Sequence, residues 1–147
     1  MKKMICWLTA AAVLLIGLLI YFQPLAFTDV VTQKHQISMM LSVFSIQNGE
    51  PDIEVTEYQE ITAEQKSAVI TALDACRYRR TFGTLFSDGT LEDLGKRMLS
   101  IHVFDETTVD SIVLTDSGKI AINDRSYRMS EAEELIGCIL ELMEQEG

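Results

Sequence analysis

The feature that most constrains this chain is a long uncharged segment near its amino end. Lys2 and Lys3 are followed by nineteen residues, 4–22, without a charged side chain, and the next charge is Asp29. At about 1.5 Å per residue, a helix of this length measures roughly 28 Å, close to the hydrocarbon thickness of a bilayer. The segment therefore predicts a transmembrane anchor over residues 4–22.

The flanking residues predict how this anchor is oriented. Lys2 and Lys3 favour a cytoplasmic amino end by the positive-inside rule, so residues 1–3 are expected inside. A cleaved secretory signal has the same order of parts and is the alternative. However, the apolar run exceeds the usual signal core of about 7–15 residues, and no good small-x-small cleavage site follows it. We expect a single-pass plasma-membrane protein, with secretion after cleavage as the alternative.

Beyond the anchor, about 120 residues remain, which is the size of one domain. Residues 23–36 read as a juxtamembrane tether, and residues 37–147 as an extracytoplasmic domain. All 22 Asp and Glu residues of the chain follow the anchor; without Lys2 and Lys3 the 12 Lys and Arg residues become 10, which gives a formal charge of −12. Such a domain is expected to repel nucleic acid and anionic lipid head groups, and its charge is more compatible with basic protein partners, with cations or with simple solubility.

Periodicity and turn chemistry predict the elements of this domain. Residues 37–47 and 52–58 read as a hairpin joined at Asn48-Gly49, with an edge strand after Pro51. A capping box at residues 62–65 opens a helix to about residue 76, and a second at 130–133 opens the final helix. Between them we expect an extended segment at 77–86, one or two helical turns at 90–97 and strands at 99–104, 109–115, 119–123 and 126–129. The predicted fold is α+β: a small antiparallel sheet with two helices on one face.

No reactive constellation emerges from the sequence. His35 and His102 are the only histidines, and neither belongs to a metal-binding or catalytic motif. Cys76 and Cys138 could pair in an exported domain, although two separate buried thiols fit their settings better. We therefore predict no catalytic residue, no metal site and no cofactor.

One short stretch of this acidic domain is rich in basic residues. Arg77, Arg79 and Arg80 flank Tyr78 directly after the first domain helix. Ion pairing with the many carboxylates of the domain would account for them, and a contact site for an acidic or phosphate-bearing partner is the functional interpretation. These three arginines are the candidate partner contacts.

The segment at residues 118–129, which leads into a short acidic helix, resembles the closing hairpin of small single-pass exported proteins of Gram-positive bacteria. These proteins share a layout of lysine start, one anchor, capped helix, strands and terminal helix, and they form families of unknown function. The resemblance implies an exported domain and carries over no functional residue.

Two functions are compatible with these features. An anchor without a reactive constellation favours a non-enzymatic interaction or accessory module that binds a protein partner at the membrane. A ligand-sensing or small-molecule-binding domain is the alternative, and an enzyme ranks third.

Overall fold

The computed structural model describes residues 2–27, 36–47, 50–58, 61–91, 95–104 and 107–144. For residues 2–5, 46 and 47 it describes the backbone only. Helix α1 (Lys2–Tyr21) is followed by the strands β1 (Gln36–Gln47) and β2 (Glu50–Tyr58) and by helix α2 (Ala63–Ala75). A 3-10 turn at Gly83–Leu85 precedes β3 (Arg97–Phe104), β4 (Val109–Thr115), β5 (Lys119–Ile122) and β6 (Arg125–Arg128), and α3 (Ala132–Glu144) closes the fold.

The predicted α+β class is confirmed: within the described ranges, the chain forms a six-stranded antiparallel sheet with three helices. The strands lie in the order β2-β1-β3-β4-β5-β6. The predicted β1–β2 hairpin forms and pairs Gln47 with Glu50, while Asn48 and Gly49 themselves lie outside the described residues. β2 occupies the edge that Pro51 predicted, because a residue without an N–H fits there best.

One face of the sheet forms the core together with α2 and α3. Alternate strand residues point into it, as period-two burial requires. They meet the apolar stripe of both helices in a single cluster, which includes Met39, Leu41, Leu99, Ile101, Ile112, Leu114, Ile120, Val69, Leu73, Leu135, Ile136 and Ile139. The prediction of two helices on one face is therefore correct.

The capping box of α2 has the geometry that the sequence predicts. The backbone N–H of Gln65 donates to Thr62 Oγ1 at 3.2 Å, and the N–H of Thr62 donates to Gln65 Oε1 at 3.0 Å. Two N–H groups that a helix start leaves without partners are thereby satisfied. The final helix begins at Ala132, close to the predicted start.

Two predicted segments differ from the structure. The segment at 77–86 is extended only around Tyr78 and Arg79 and then forms the 3-10 turn. The helical turns expected at 90–97 are wrong where the segment is described: Thr90 and Leu91 are not helical, and Arg97 already belongs to β3. Asp116 explains this, since its carboxylate accepts the N–H groups of Lys96 and Arg97 at 2.9 and 3.2 Å. Gly95 lies against that carboxylate with φ +63°, a conformation that favours glycine.

The residues after α1 are part of the core rather than a simple tether. Leu25 exchanges two backbone hydrogen bonds with Tyr78, at 2.8 and 2.9 Å. Phe27 is buried, and its ring centroid lies 6.2 Å from that of Tyr78. Residues 28–35 of the predicted tether lie outside the described residues, and its last residue, Gln36, already belongs to β1.

Among the residues that the structure describes, no helix combines the length and the apolarity that crossing a membrane requires. The anchor over residues 4–22 therefore stays a prediction.

The phenol of Tyr78 links α2 to the segment that follows it. Its ring is fully buried, and its hydroxyl donates to the carbonyl of Leu73 at 3.1 Å. We expect Tyr78→Phe to lower the free energy of unfolding by about 1–3 kcal/mol, because it leaves a buried carbonyl without that donor. Urea denaturation measures this loss. Tyr58→Phe is the control, since the hydroxyl of this half-buried tyrosine makes no hydrogen bond among the described residues. Equal losses in both variants would contradict the stabilising role of the Tyr78–Leu73 hydrogen bond.

Burial of the Tyr78 phenol also makes the stability of the fold depend on pH in the alkaline range. It is the main reason why the pKa of Tyr78 is raised above its ordinary value of 10.0. Above pH 10 the unfolded chain releases this proton and the folded chain keeps it, so the unfolded state is favoured by up to about 1.4 kcal/mol per pH unit. In Tyr78→Phe this loss is absent. The difference in unfolding free energy between the native chain and the variant should therefore become smaller above pH 10. Urea denaturation of both chains at several pH values measures this difference. If the unfolding free energies of the two chains changed in parallel with pH, the effect would be excluded.

Candidate binding cleft

The outer edge of β6 is paired with the segment that carries the predicted arginines. The N–H of Arg79 donates to the carbonyl of Arg128 at 2.9 Å, and the N–H of Arg128 donates back to Arg79 at 3.0 Å. Tyr78 is buried and Arg79 is exposed, as expected for neighbours in extended backbone. The pairing therefore fixes Arg79 beside Arg128 on the surface.

A shallow cavity of about 470 Å³ opens at this position. Three basic residues line it: Arg79, Lys119 and Arg128. Lys119 and Arg128 are direct partners across the β5–β6 hairpin, so the sheet register brings their charges together. Ser117, Gly118, Met129 and Ser130 complete the lining. We call this cavity the basic cleft.

A second cavity of about 550 Å³ shares Lys119 and Arg128 with the basic cleft. Its far wall is the segment around the 3-10 turn, which hydrogen bonds hold against β6. Thr84 Oγ1 donates to the carbonyl of Ser126 at 2.6 Å, and the N–H of Ser126 donates to Ser87 Oγ at 3.1 Å. The remaining lining is mixed: Thr81, Gly83, Phe86, Asp88, Thr90, Leu91 and Tyr127.

The charges of the two cavities differ. Asp88 lines the second cavity, and hydrogen bonds from Thr90 lower the pKa of its carboxyl, so it is ionised at neutral pH. Among the described residues, no carboxylate lines the basic cleft. Glu131 stands close enough for Arg79 to contribute to its lowered pKa, although the hydrogen bond with Ser130 contributes most. The basic cleft thus keeps a positive lining with one acidic neighbour.

Where the structure is described, the basic residues of this cleft form no salt bridge with the many carboxylates of the domain. Among the described residues, the salt bridges within 4.0 Å are those of Arg97 with Asp116 and Glu133. A cation without a paired carboxylate keeps its capacity to bind an anionic group, and arginine does so with a planar fork of donors. The cleft can therefore bind carboxylate or phosphate groups.

The structure separates the three arginines that the sequence grouped. Arg79 lines the basic cleft, whereas the guanidinium of Arg80 lies 5.2 Å from the ring centroid of Tyr21 at the end of α1. Arg77 Nη1 donates to the carbonyl of Asp74 at 3.4 Å. Sequence reasoning missed Lys119 and Arg128. The turn at residues 123–124 was the available signal, because it fixes the register that places these two side by side.

The other candidate groups do not form a reactive site where they are described. His102 lies mid-strand and half-buried, opposite Ser38 and Ser111. Cys6, Cys76 and Cys138 are free thiols, and burial raises the pKa of Cys76, which keeps it protonated. Within the described ranges, no three His, Cys, Asp or Glu side chains gather as metal ligands. His35 lies outside those ranges.

Comparison with known proteins finds no similarity: no family profile, no curated protein and no solved structure matches the chain.

Proposed function

We propose that this protein is a membrane-anchored, non-enzymatic interaction module whose basic cleft binds an acidic protein partner. The observation that carries the proposal is the convergence of Arg79, Lys119 and Arg128 on one cavity in a strongly acidic chain. The cavity is shallow and polar, which suits a carboxylate-bearing surface segment of another protein.

Charge distribution restricts where an acidic partner can dock on this molecule. The chain carries a formal charge of −10, so an acidic protein would be repelled by most of its surface. A docking partner must therefore meet the molecule at the edge where positive charge is concentrated. This combination of long-range repulsion and local attraction selects both the partner and its orientation.

The anchoring part of the proposal is supported by the character of α1. The helix carries exposed apolar side chains around its circumference, including Trp7, Leu8, Val13, Leu14, Leu15, Ile16, Leu19 and Ile20. A helix that is apolar on all sides requires an apolar environment to cover it. A bilayer provides this, with residues 1–3 in the cytoplasm and the α+β domain on the outer side. Secretion after cleavage is the alternative.

The second cavity favours a different candidate function, ligand sensing. Its volume of about 550 Å³ lies within the range of about 300–1,000 Å³ that is typical of small-molecule sites. Ser87, Asp88 and Tyr127 give it polar groups for orienting a ligand. A thermal-shift screen separates the two functions, because a ligand that binds the folded state raises Tm reproducibly.

Charged substitutions in α1 test the anchor. Val13→Asp together with Leu14→Asp should move the full chain from the membrane fraction to the soluble fraction, since each aspartate near the centre of a span opposes insertion by about 3 kcal/mol. The measurement is fractionation followed by an alkaline carbonate wash. Val13→Ala with Leu14→Ala is the control and should stay with the membrane. Recovery of the unsubstituted chain from the medium in a shortened form would show cleavage and exclude the anchor.

Charge reversal tests the basic cleft. A photoreactive residue in place of Ser130, at the cleft, should trap a discrete partner in intact membranes. Arg79→Glu with Arg128→Glu should reduce that crosslinked product at least about tenfold, because reversing charges in a polar contact commonly costs more than 1.4 kcal/mol.

The matched control changes the net charge equally elsewhere. Lys66→Glu with Arg125→Glu alters residues of α2 and of the other end of β6, neither of which lines the cleft. This variant should keep the crosslinked product. Equal loss in both double variants would assign the effect to net charge, and no loss in either would exclude the cleft as the contact site.

A further inference from the structure

Three large apolar side chains project from the segment between α2 and β3. Phe82, Leu85 and Phe86 are 66%, 58% and 87% exposed. Apolar side chains that cluster on a surface mark contacts with another protein or with a membrane. We call these three residues the apolar ridge.

The backbone holds this ridge in a fixed conformation. The 3-10 turn is closed by the N–H groups of Leu85 and Phe86, which donate to the carbonyls of Phe82 and Gly83 at 3.2 and 3.0 Å. Thr84 is the buried residue of the turn, and its hydroxyl donates to Ser126 at 2.6 Å and accepts the N–H of Thr81 at 2.8 Å. With Thr84 directed inward, its apolar neighbours point outward.

The ridge adjoins the end of α1. The ring centroid of Phe82 lies 4.9 Å from that of Phe22, with the planes at 71°, an edge-to-face contact. Phe22 is the last residue of the predicted anchor, residues 4–22. An apolar environment that covers α1 as far as Phe22 therefore also covers Phe82.

Charged and amphipathic groups border the ridge on the side of the domain. The guanidinium of Arg80 lies 5.2 Å from the ring centroid of Tyr21, within cation–π range. Tyrosine is enriched where hydrocarbon meets head groups, and arginine can extend its charge towards phosphate at that level. Apolar, aromatic and cationic groups thus lie close together at the end of α1, which is the combination of groups that a lipid interface accommodates.

We propose that the apolar ridge inserts into the outer interface of the bilayer beside α1, as a second membrane contact of the domain. The inference rests on the proposed anchoring by residues 4–22. Two contacts restrict rotation of the domain about the helix axis. Since Thr84 and Arg79 attach the ridge segment to β6, the same contacts hold the basic cleft close to the membrane surface.

The chain carries one tryptophan, Trp7, which makes single-tryptophan fluorescence the direct test. Full chains are reconstituted into phosphatidylcholine vesicles with and without brominated acyl chains, which quench tryptophan only on contact. Trp7 in the native chain reports α1. Phe86→Trp, in a Trp7→Phe background, reports the ridge and should show quenching and a blue-shifted emission. Leu85→Trp in the same background repeats the measurement at a second ridge position.

Ile53→Trp in that background is the matched control. Ile53 is a 57% exposed apolar residue on β2, the opposite edge of the sheet, about five strand spacings or roughly 24 Å from β6. Its fluorescence should be unaffected by bromine.

The outcomes separate the ridge from the anchor. Quenching at the ridge and at Trp7, but not at position 53, supports the inference. Quenching of Trp7 alone overturns the ridge contact, leaves the anchor intact and reassigns the ridge to a protein surface. Absence of quenching at Trp7 and at the ridge overturns both proposals. Equal quenching at position 53 also overturns the inference, since it shows nonspecific adsorption.

Discussion

The buried ring of Tyr78 is the contact on which the arrangement around the basic cleft depends. Its backbone pairs with Leu25, its hydroxyl bonds to Leu73 near the end of α2, and its ring packs beside Phe27. The next residue, Arg79, pairs with β6. Two adjacent residues, Tyr78 and Arg79, therefore connect the segment after α1, helix α2 and the last strand. These elements are distant along the chain, and their alignment creates both the cleft and the apolar ridge.

The distribution of charge gives this edge its character. The chain carries a formal charge of −10, while Arg79, Lys119 and Arg128 meet where two hairpin strands and an extended segment lie side by side. The hairpin register brings two of these residues together, and a tertiary pairing adds the third. The concentration of positive charge at this edge thus results from the pairing of backbone segments. The proposed acidic partner is attracted where this geometry brings the three cations together. The fold thereby sets the place of the proposed recognition.

Prediction from sequence succeeded where the signals were local. The hairpin of β1 and β2, the capping box of Thr62 and Gln65 and the alternating strands depend on neighbours within a few residues. It failed in the described parts of residues 90–97, where the distant carboxylate of Asp116 accepts the N–H groups of Lys96 and Arg97. At the cleft it found Arg79 from the basic run and missed Lys119 and Arg128, because neither stands in a run of charge.

The sequence by itself determined the class of the fold, the order of its elements and the apolar character of the amino-terminal segment, because period, caps and turn residues act over short distances. Only the tertiary structure decided which cations converge, where Phe82, Leu85 and Phe86 stand relative to Phe22, and that Leu25 and Phe27 belong to the core. These features depend on contacts between residues far apart in the chain. Such contacts form when the whole core closes, and no local pattern specifies them.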